Sequence, residues 1–277
     1  MDLVISDIHA DYSALKAILD LASSKKFKDS YGEFSRIINL GDVLERGTKP
    51  KQVLKKLDEL SKTYELLSVM GNHDEAFLYG RQVSGSSIES SFAHQSIPEK
   101  DLEFFKKNND DTYGTQEILD KKNGLVCVHG GPLDPKKITP KDAGHDAWFY
   151  QKSWQRLTEY EEFFSPYGYH FTASSAFEEA NSKIKNPIIL CGHQHIEAAF
   201  TQINDKIEDL LADSTLQNQK LANYRIQKIE IPIKANQSYL IRVGLGGPEG
   251  YYGTGGANPH LGIIQDNPKK AILFEII

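Results

Sequence analysis

Five short clusters of polar residues carry side chains suited to metal chemistry, and each cluster directly follows an apolar run. A lone His after a strand is more often a hydrogen-bonded structural residue than a ligand. Repetition of one arrangement at five places, always after a strand-like run, favours ligation instead. The clusters are Asp7 with His9, Gly41-Asp42 with Arg46-Gly47, Gly71-Asn72-His73-Asp74, His129-Gly130-Gly131, and Gly192-His193-Gln194-His195.

Oxygen ligands from Asp and Asn, mixed with imidazole nitrogens, suit divalent ions such as Mn, Fe, Zn, Co or Ni. The only two cysteines, Cys127 and Cys191, lie in apolar runs typical of buried strands, which excludes a thiolate site and a disulfide framework. Seven candidate ligands exceed what one tetrahedral ion can use, and they fit two ions that share a bridging carboxylate. These candidates are Asp7, His9, Asp42, Asn72, His129, His193 and His195.

The first two thirds of the chain repeat an apolar run, a polar turn and a stretch with helical spacing, which predicts an α/β fold. Pro50 suits the first turn of the second helix. Since open α/β sheets bind ligands beyond the carboxyl ends of their strands, the polar clusters are predicted to share one crevice. Strands are predicted at 3–5, 37–40, 66–70, 125–128 and 188–191, and apolar helical stripes at Leu15, Ile18, Leu19 and Ala22 and at Val53, Leu54, Leu57 and Leu60.

The last third has a different pattern. Alternating apolar residues at 229–233 and 239–243 predict half-buried antiparallel strands. The polar stretch from Asp205 to Ala222 has apolar residues at roughly helical spacing and is predicted to be a helix. The glycine-rich stretch 244–256 is predicted to be a loop. We therefore expect a single domain over 1–277 with a helical insertion around 202–225.

The composition of the chain indicates which kinds of binding partner to expect. The chain has 277 residues, 39% of them hydrophobic, and a formal net charge of −6. That balance fits one enzyme domain with a full core and argues against nucleic-acid binding through a basic surface. No apolar run is long enough to cross a bilayer, and the first residues lack the features of a secretory signal, so we expect a cytoplasmic protein. The sequence indicates no oligomeric state.

Taken together, these residues resemble the calcineurin-like metallophosphoesterase family, whose pattern is D-x-H, GD, GNH followed by Asp or Glu, an H with small neighbours, and GH-x-H. All five blocks occur between Asp7 and His195, about two thirds of the chain. The resemblance implies a β-sandwich flanked by helices (αββα), with the active site at the carboxyl ends of strands. It also implies two divalent metal ions, with Mn as the ion we expect to work in vitro.

Residue by residue, the resemblance assigns Asp7, His9, Asp42 and His195 to one ion and Asp42, Asn72, His129 and His193 to the other. Asp42 would bridge the two. His73 would lie beside the ions and donate a proton to the leaving oxygen, a role that suits an imidazole. The implied mechanism is in-line attack on phosphorus by a hydroxide held between the ions.

The second block, GDVLERG, resembles GD-x-x-DRG of the phosphoprotein phosphatase branch, which also contains diadenosine tetraphosphate hydrolases. Arg46 would then bind phosphate oxygens with its planar guanidinium. Glu45 replaces the Asp that normally pairs with the catalytic His, so either Glu45 or Asp74 could orient His73. The fifth block differs as well, because that branch usually has Thr or Ser in place of Gln194-His195.

The expected function is hydrolysis of a phosphate ester in a phosphoprotein, nucleotide or small molecule, by a phosphatase or a dinucleoside-polyphosphate hydrolase. Two alternatives stay open: a phosphodiesterase, suggested by the H-x-H block, and a silent metal-binding scaffold. Structural roles compete for several residues. Arg46 could form a surface ion pair, Asp74 could only brace its loop, and Tyr251 and Tyr252 could be ordinary loop residues or stack on a nucleobase. Ordinary roles are expected for His94, His145, His170 and His260.

Overall fold

A computed structural model of the chain describes residues 1–83, 85–106, 108, 112–159, 167–203, 206–251 and 258–277. Over these residues, strands and helices alternate in the first two thirds, and strands predominate afterwards. The α-helices are α1 (Tyr12–Ser23), α2 (Lys25–Tyr31), α3 (Pro50–Ser61), α4 (Asn72–Leu78), α5 (Ile88–Gln95), α6 (Pro135–Ile138) and α7 (Ala173–Asn181). Short 3₁₀ helices span Glu99–Phe105 and Gly144–Tyr150.

The strands form two large sheets and a short pair. The strands are β1 (Asp2–Ile5), β2 (Arg36–Asn39), β3 (Glu65–Ser68), β4 (Glu117–Asp120), β5 (Leu125–Val128), β6 (Arg156–Leu157), β7 (His170–Phe171), β8 (Ile188–Cys191), β9 (Ala198–Ile203), β10 (Lys206–Asp209), β11 (Gln217–Leu221), β12 (Tyr224–Pro232), β13 (Ser238–Arg242), β14 (His260–Asp266) and β15 (Lys269–Ile276). A seven-stranded sheet has the order β11-β12-β15-β14-β1-β2-β3, and a six-stranded sheet the order β10-β9-β13-β8-β5-β4. β6 pairs with β7.

Each large sheet contains three neighbouring parallel strands: β1, β2 and β3 in one, and β5, β8 and β13 in the other. The remaining pairings in the two sheets are antiparallel. Parallel strands end on the same side of a sheet, so the loops that follow them gather at one edge. The predicted strands before the polar clusters are all present, within two residues of the expected bounds.

Alternation along the strands shows how the layers pack. Leu3 and Ile5 belong to the core beneath the first three helices, whereas Val4 between them faces the core shared by the two sheets. In the other sheet, Cys127 lies in the shared core and Val126 in the core under α7. Both faces of each sheet are therefore covered, which explains why these strands are apolar throughout. The architecture is the predicted α/β sandwich with helices on both outer faces.

The two predicted amphipathic helices are confirmed. In α1 the side chain of Asp11 caps the helix by accepting a hydrogen bond from the Ala14 amide at 2.9 Å. Pro50 occupies the first turn of α3, as expected. The buried residues of these helices are Ala14, Leu15, Ile18, Leu19, Leu21 and Ala22 in α1 and Pro50, Val53, Leu54 and Leu57 in α3.

The helix predicted from Asp205 to Ala222 is wrong over the described residues. β10 and β11 occupy this stretch instead, and they lie at the outer edges of different sheets. Leu210 and Leu211, in the turn between them, pack against the core shared by the sheets. Four apolar residues at near-helical spacing thus also fit a strand, a half-buried turn and a second strand, because the spacing of so few residues does not separate these structures from a helix.

The two C-terminal strands have different environments. β12 pairs antiparallel on both sides, as predicted. β13 corrects the prediction: all five of its residues are buried, and it pairs parallel with β8 and antiparallel with β9. Its sequence does not strictly alternate, since Leu240 lies between Tyr239 and Ile241, and the polar residues Ser238 and Arg242 are buried too. In the described part of the chain, no helix is long and apolar enough to cross a membrane.

Candidate metal centre

The seven candidate ligands meet where the loops after β1, β2, β3, β5 and β8 converge. Ligand atoms of Asp7, His9, Asp42 and His195 all lie within 4.8 Å of one another. Those of Asp42, His129 and His193 form a second such group, so that Asp42 belongs to both. The Asn72 Oδ1 atom joins the second group, 3.1 Å from His129 Nε2.

Backbone hydrogen bonds between neighbouring loops hold these side chains in place. The Asp7 amide donates to the Gly41 carbonyl at 2.9 Å, and the His9 amide donates to the Asp42 carbonyl at 2.8 Å. Left-handed φ angles occur at Asp7 (52°), His9 (47°), Asp42 (53°), His193 (70°) and His195 (64°). Non-glycine residues adopt this conformation at a cost, and such strain concentrates at functional sites.

Two glycines of the polar clusters are required by close contacts. A Cβ on Gly71 would lie 2.0 Å from Asp42 Oδ1, and a Cβ on Gly41 would lie 2.5 Å from the Gly71 nitrogen. The GD and GN pairs therefore allow the loops after β2 and β3 to touch each other. The Asp42 Oδ1 atom uses this contact to accept a hydrogen bond from the His73 amide at 2.8 Å.

In the first ligand group, two imidazole nitrogens converge with two carboxylate oxygens. The His9 Nε2 atom lies 3.3 Å from His195 Nε2 and 3.6 Å from Asp42 Oδ2. The His195 Nε2 atom is 3.3 Å from Asp7 Oδ1. The other ring nitrogen of His9, Nδ1, is 3.2 Å from the Leu44 carbonyl, which fixes the ring with Nε2 toward the carboxylates.

In the second ligand group, His129 is oriented in the same way, because its Nδ1 atom donates to the Leu40 carbonyl at 2.7 Å. Its Nε2 atom lies 3.2 Å from Asp42 Oδ2. Burial opposes ionisation of Asp42, but the nearby imidazoles of His129, His73 and His9 hold its pKa well below the usual range. Burial likewise disfavours protonated His129, yet the carboxylates raise its pKa to about 9.

The donor set fits divalent cations. Asp42 Oδ2 and His193 Nε2 are buried and have no hydrogen-bond partner within the described chain. Burying such atoms without a partner is costly, whereas a metal ion would satisfy both. The mixture of carboxylate, amide and imidazole ligands is one that first-row divalent ions accept. The two groups could therefore hold two ions, with Asp42 shared between them.

His73 lies beside the ligand groups, at the start of α4, and its ring stands edge-on to His9 at a centroid distance of 4.9 Å. Neither carboxylate expected to orient it does so over the described residues, because its Nδ1 atom is buried without a partner. Glu45 instead accepts a hydrogen bond from the Ser86 hydroxyl. Burial lowers the pKa of His73 to about 4, and the Arg46 charge contributes to this shift.

Asp74 braces the loops. Its Oδ1 atom accepts hydrogen bonds from the amides of Val43 and Leu44, both at 2.9 Å, and its Oδ2 atom accepts one from the Gly71 amide at 3.0 Å. Burial raises the pKa of this carboxyl to about 7. Its contacts correspond to the structural role considered for this residue, because they connect the GD loop to the GNH loop.

Arg46 lies at the site, and it forms no ion pair with any residue that the structure describes. Its guanidinium carbon lies 4.3 Å from the ring centroid of Tyr251, a cation–π arrangement. Its Nε atom is buried and has no hydrogen-bond partner in the described chain. The loop that carries it is held by His94, whose Nε2 accepts a hydrogen bond from the Glu45 amide at 2.8 Å.

Two residues of the site were missed or undervalued at the sequence level. The Tyr251 hydroxyl lies 3.1 Å from His9 Nε2 and 3.0 Å from His195 Nε2. Arg156 sits close enough to help lower the pKa of His193, after the larger effect of burial. Neither residue belongs to one of the five clusters, and only the glycine-rich context of Tyr251 hinted at a functional loop. Tyr252 lies outside the described residues.

A cavity of about 1010 Å³ lies elsewhere, between α3 and the 3₁₀ helix Glu99–Phe105. None of the seven candidate ligands lines it. Ligand geometry, and not cavity size, therefore identifies the site.

Comparison with known proteins agrees with this geometry. A model of the calcineurin-like phosphoesterase family matches residues 3–197. No curated protein matches significantly. A solved metallophosphoesterase from Sphaerobacter thermophilus is similar over 100% of this chain and 87% of its own, with 17% identity and a TM-score of 0.57. At that identity the likeness shows the fold alone.

Two weaker similarities involve phosphatases. A protein serine/threonine phosphatase from Saccharomyces cerevisiae covers 87% of this chain and 78% of its own, with 14% identity and a TM-score of 0.46. A candidate diadenosine tetraphosphatase covers 69% of this chain and 74% of its own, with 18% identity and a TM-score of 0.41. Both TM-scores fall below 0.5 and carry no functional argument.

Proposed function

The chain belongs to the calcineurin-like phosphoesterase family and is thus a metal-dependent phosphoesterase, and we propose that it acts as a phosphomonoesterase or dinucleoside-polyphosphate hydrolase. The observation that carries this proposal is the position of Arg46. Its guanidinium is fixed on the face of Tyr251, while its Nε atom lacks a protein partner among the described residues. A fork of donors held in this way suits a phosphoryl group with several anionic oxygens.

We assign the ions to the two ligand groups. Asp7, His9, Asp42 and His195 would hold one, and Asp42, Asn72, His129 and His193 the other. When bound, such ions supply positive charge that polarises the phosphoryl oxygens and lowers the pKa of water. The donor set does not single out one first-row metal. Manganese is the ion that we propose for assays.

The chain's own residues would bind and orient the substrate. Arg46 would hold phosphate oxygens on the side of the site near His9 and Tyr251. Arg156 would add a second positive charge, since its charge helps to lower the pKa of His193. Two such cations would orient a phosphoryl group and stabilise the charge that builds up on it in the transition state.

His73 would donate the proton to the leaving oxygen. Protein atoms enclose its Nδ1 atom, which leaves Nε2 as the nitrogen able to reach the substrate. The low pKa of the ring, about 4 without substrate, reflects burial and the neighbouring positive charges. An anionic phosphate held by Arg46 would reverse part of that effect, because a nearby negative charge favours the protonated imidazole. We propose that Asp74 contributes by bracing the loop under His73.

A phosphodiesterase remains the second candidate. It is favoured by His193 and His195, since the structure brings both imidazoles of the H-x-H block to the ligand groups. A silent scaffold is disfavoured, because none of the seven candidate ligands is displaced from the site.

A substrate panel with manganese separates these candidates. It should compare a phosphopeptide, a dinucleoside tetraphosphate, a cyclic nucleotide and an aryl phosphodiester, with Asp42→Asn as the inactive control. Preference for the first two substrates supports the proposal, and preference for the last two supports the phosphodiesterase. Metal analysis of the same samples should give two ions per chain. Activity that survives chelation, or one ion that manganese cannot supplement, would overturn the metal assignment.

A further inference from the structure

Tyr251 comes to the first ligand group from outside all five clusters. Its hydroxyl lies 3.1 Å from His9 Nε2 and 3.0 Å from His195 Nε2, and these two nitrogens are themselves 3.3 Å apart. The three atoms form a nearly regular triangle. Asp7 Oδ1 lies 3.3 Å from His195 Nε2, and Asp42 Oδ2 lies 3.6 Å from His9 Nε2, so that two carboxylate oxygens border the same space.

These separations match the edges of a coordination polyhedron. Ligands bound to one ion at about 2.0 to 2.2 Å are separated from their neighbours by roughly 2.8 to 3.6 Å in tetrahedral or octahedral geometry. The three edges involving Tyr251 and the two imidazoles fall inside this range. A hydrogen-bond interpretation requires the hydroxyl to donate to one Nε2 atom and to accept from the other in its protonated tautomer. The two interpretations differ in whether the phenol loses its proton when the ion binds.

The backbone before Tyr251 is tied to the ligand loops. The Gly247 amide donates to the Asp7 carbonyl at 2.9 Å, and the Glu249 amide donates to Asp11 Oδ2 at 3.0 Å. Gly250 has a φ of +88°, and a Cβ there would lie 2.8 Å from the Arg46 carbonyl oxygen. The position of the Tyr251 ring is therefore set by a short segment that contacts the backbone of Asp7 and of Arg46.

We infer that Tyr251 is a fifth ligand, as a phenolate, of the ion held by Asp7, His9, Asp42 and His195. The inference rests on the metal assignment made under the proposed function. On binding, the phenolic O–H bond breaks, the proton passes to solvent, and the oxygen keeps the electron pair that forms the bond to the ion. Burial raises the pKa of Tyr251 well above its usual value, and the charge of Arg46 over the ring opposes that effect, so the ion would have to supply the remaining stabilisation of the phenolate. The residue that binds phosphate and a ligand of the ion would thus be in direct contact.

Titration of the metal-free full chain with Zn²⁺ at neutral pH tests the inference. Zinc has no absorption of its own, and a free tyrosine, whose pKa is about 10, stays protonated at this pH. The ultraviolet difference spectrum reports tyrosinate, and competition with a chelator reports affinity. We expect one tyrosinate per chain in the wild type and none in Tyr251→Phe. We also expect one of the two ions to bind about 10- to 100-fold more weakly in that variant.

Tyr113→Phe is the matched control, since it removes a phenol that contacts none of the ligand atoms in the described structure. It should keep the wild-type spectrum and affinity. Two bound ions without any tyrosinate signal, or an equal signal in Tyr251→Phe, would overturn the inference and leave the proposed function intact. Failure of the wild type to bind any ion would overturn both.

Discussion

The guanidinium of Arg46 lies over the ring of Tyr251, 4.3 Å from its centroid. The contact fixes the side chain of Arg46, whose backbone is left-handed with a φ of 66°. The preceding residue, Glu45, is left-handed as well, with a φ of 69°. A side chain held against a ring loses less conformational freedom when it binds substrate than one that is free in solvent.

Arg46→Lys should therefore impair hydrolysis of monoesters more than that of diesters. Lysine keeps the positive charge but removes the paired donors, and a monoester offers more anionic oxygens to such a pair. The measurement is kcat/KM on matched mono- and diester substrates. An equal fall on both would assign Arg46 to general electrostatics, and no change on either would remove it from substrate binding.

Gly85→Ala should also impair monoester hydrolysis, although Gly85 itself is not proposed to contact the substrate. A Cβ at Gly85, whose φ is +101°, would lie 2.2 Å from Arg46 Nη1 and displace the guanidinium. We expect monoester kcat/KM to fall while the metal content stays at the wild-type level. Gly32→Ala is the matched control: its φ is +94°, yet no atom lies within 4 Å of its Cβ position. Equal losses in both variants would show that backbone strain alone is responsible.

His73→Ala should lower turnover by roughly 10²-fold or more, the scale of general acid catalysis. The loss should shrink for aryl esters, because a good leaving group needs little protonation. Metal content measured on the same protein should not change, and His145→Ala, at an exposed position outside the site, should behave as wild type. Loss of an ion from the His73 variant would show that the side chain supports the ligands instead.

Asp120→Asn should destabilise the fold in a pH-dependent way. Arg36 of β2 pairs with Asp2 of β1 and with Asp120 of β4, both at 2.6 Å, and so joins the two sheets. Burial opposes ionisation of Asp120, but hydrogen bonds from Asn123 and Arg36 lower its pKa. Because the folded pKa lies below the unfolded value of about 3.9, the stabilisation is present above that pH and is lost as pH falls through the folded pKa.

Urea unfolding at neutral pH should thus show a loss of about 1.5 to 3 kcal/mol for Asp120→Asn, the range for hydrogen bonds to charged groups. The difference from wild type should vanish in strong acid. Asp29→Asn, which removes an exposed pair with Lys25, should change the unfolding free energy little at either pH. A difference for Asp120→Asn that does not depend on pH would show that the carboxylate charge is irrelevant.

The strands and the ligand clusters could be predicted because their signals are local. Apolar runs such as Ile188 to Cys191 precede each cluster, and β5 and β8 are apolar throughout because both of their faces are buried. β13 gave a misleading pattern, since Arg242 is buried by donating to the Ile196 carbonyl and to Gln194, partners that only tertiary structure supplies. The same applies to Asp74, whose three backbone contacts come partly from the loop after β2.

Tyr251 shows a second limit. Its approach to His9 and His195 depends on residues 244–247 crossing the end of the site, where the Leu245 amide donates to the His195 carbonyl and the Gly246 amide to the Ser6 carbonyl. Neither the spacing of the residues nor their periodicity predicts that this segment crosses the site. The glycines in this stretch predicted a loop, but the direction of that loop depends on β13 and β14, which are distant in sequence from the ligands.

The position of β1 has a consequence for biosynthesis. β1 is synthesised before the other described strands, yet it lies between β2 and β14, and β13 lies between β8 and β9 in the other sheet. All seven candidate ligands are therefore translated before the strands that complete both sheets around them. A nascent chain that ends before β14 would expose the edge of β1. It would also lack the antiparallel pairing with β14 that supports the loop after β1. Capture of metal ions should accordingly come late in the folding of the nascent chain, after β14 has been synthesised.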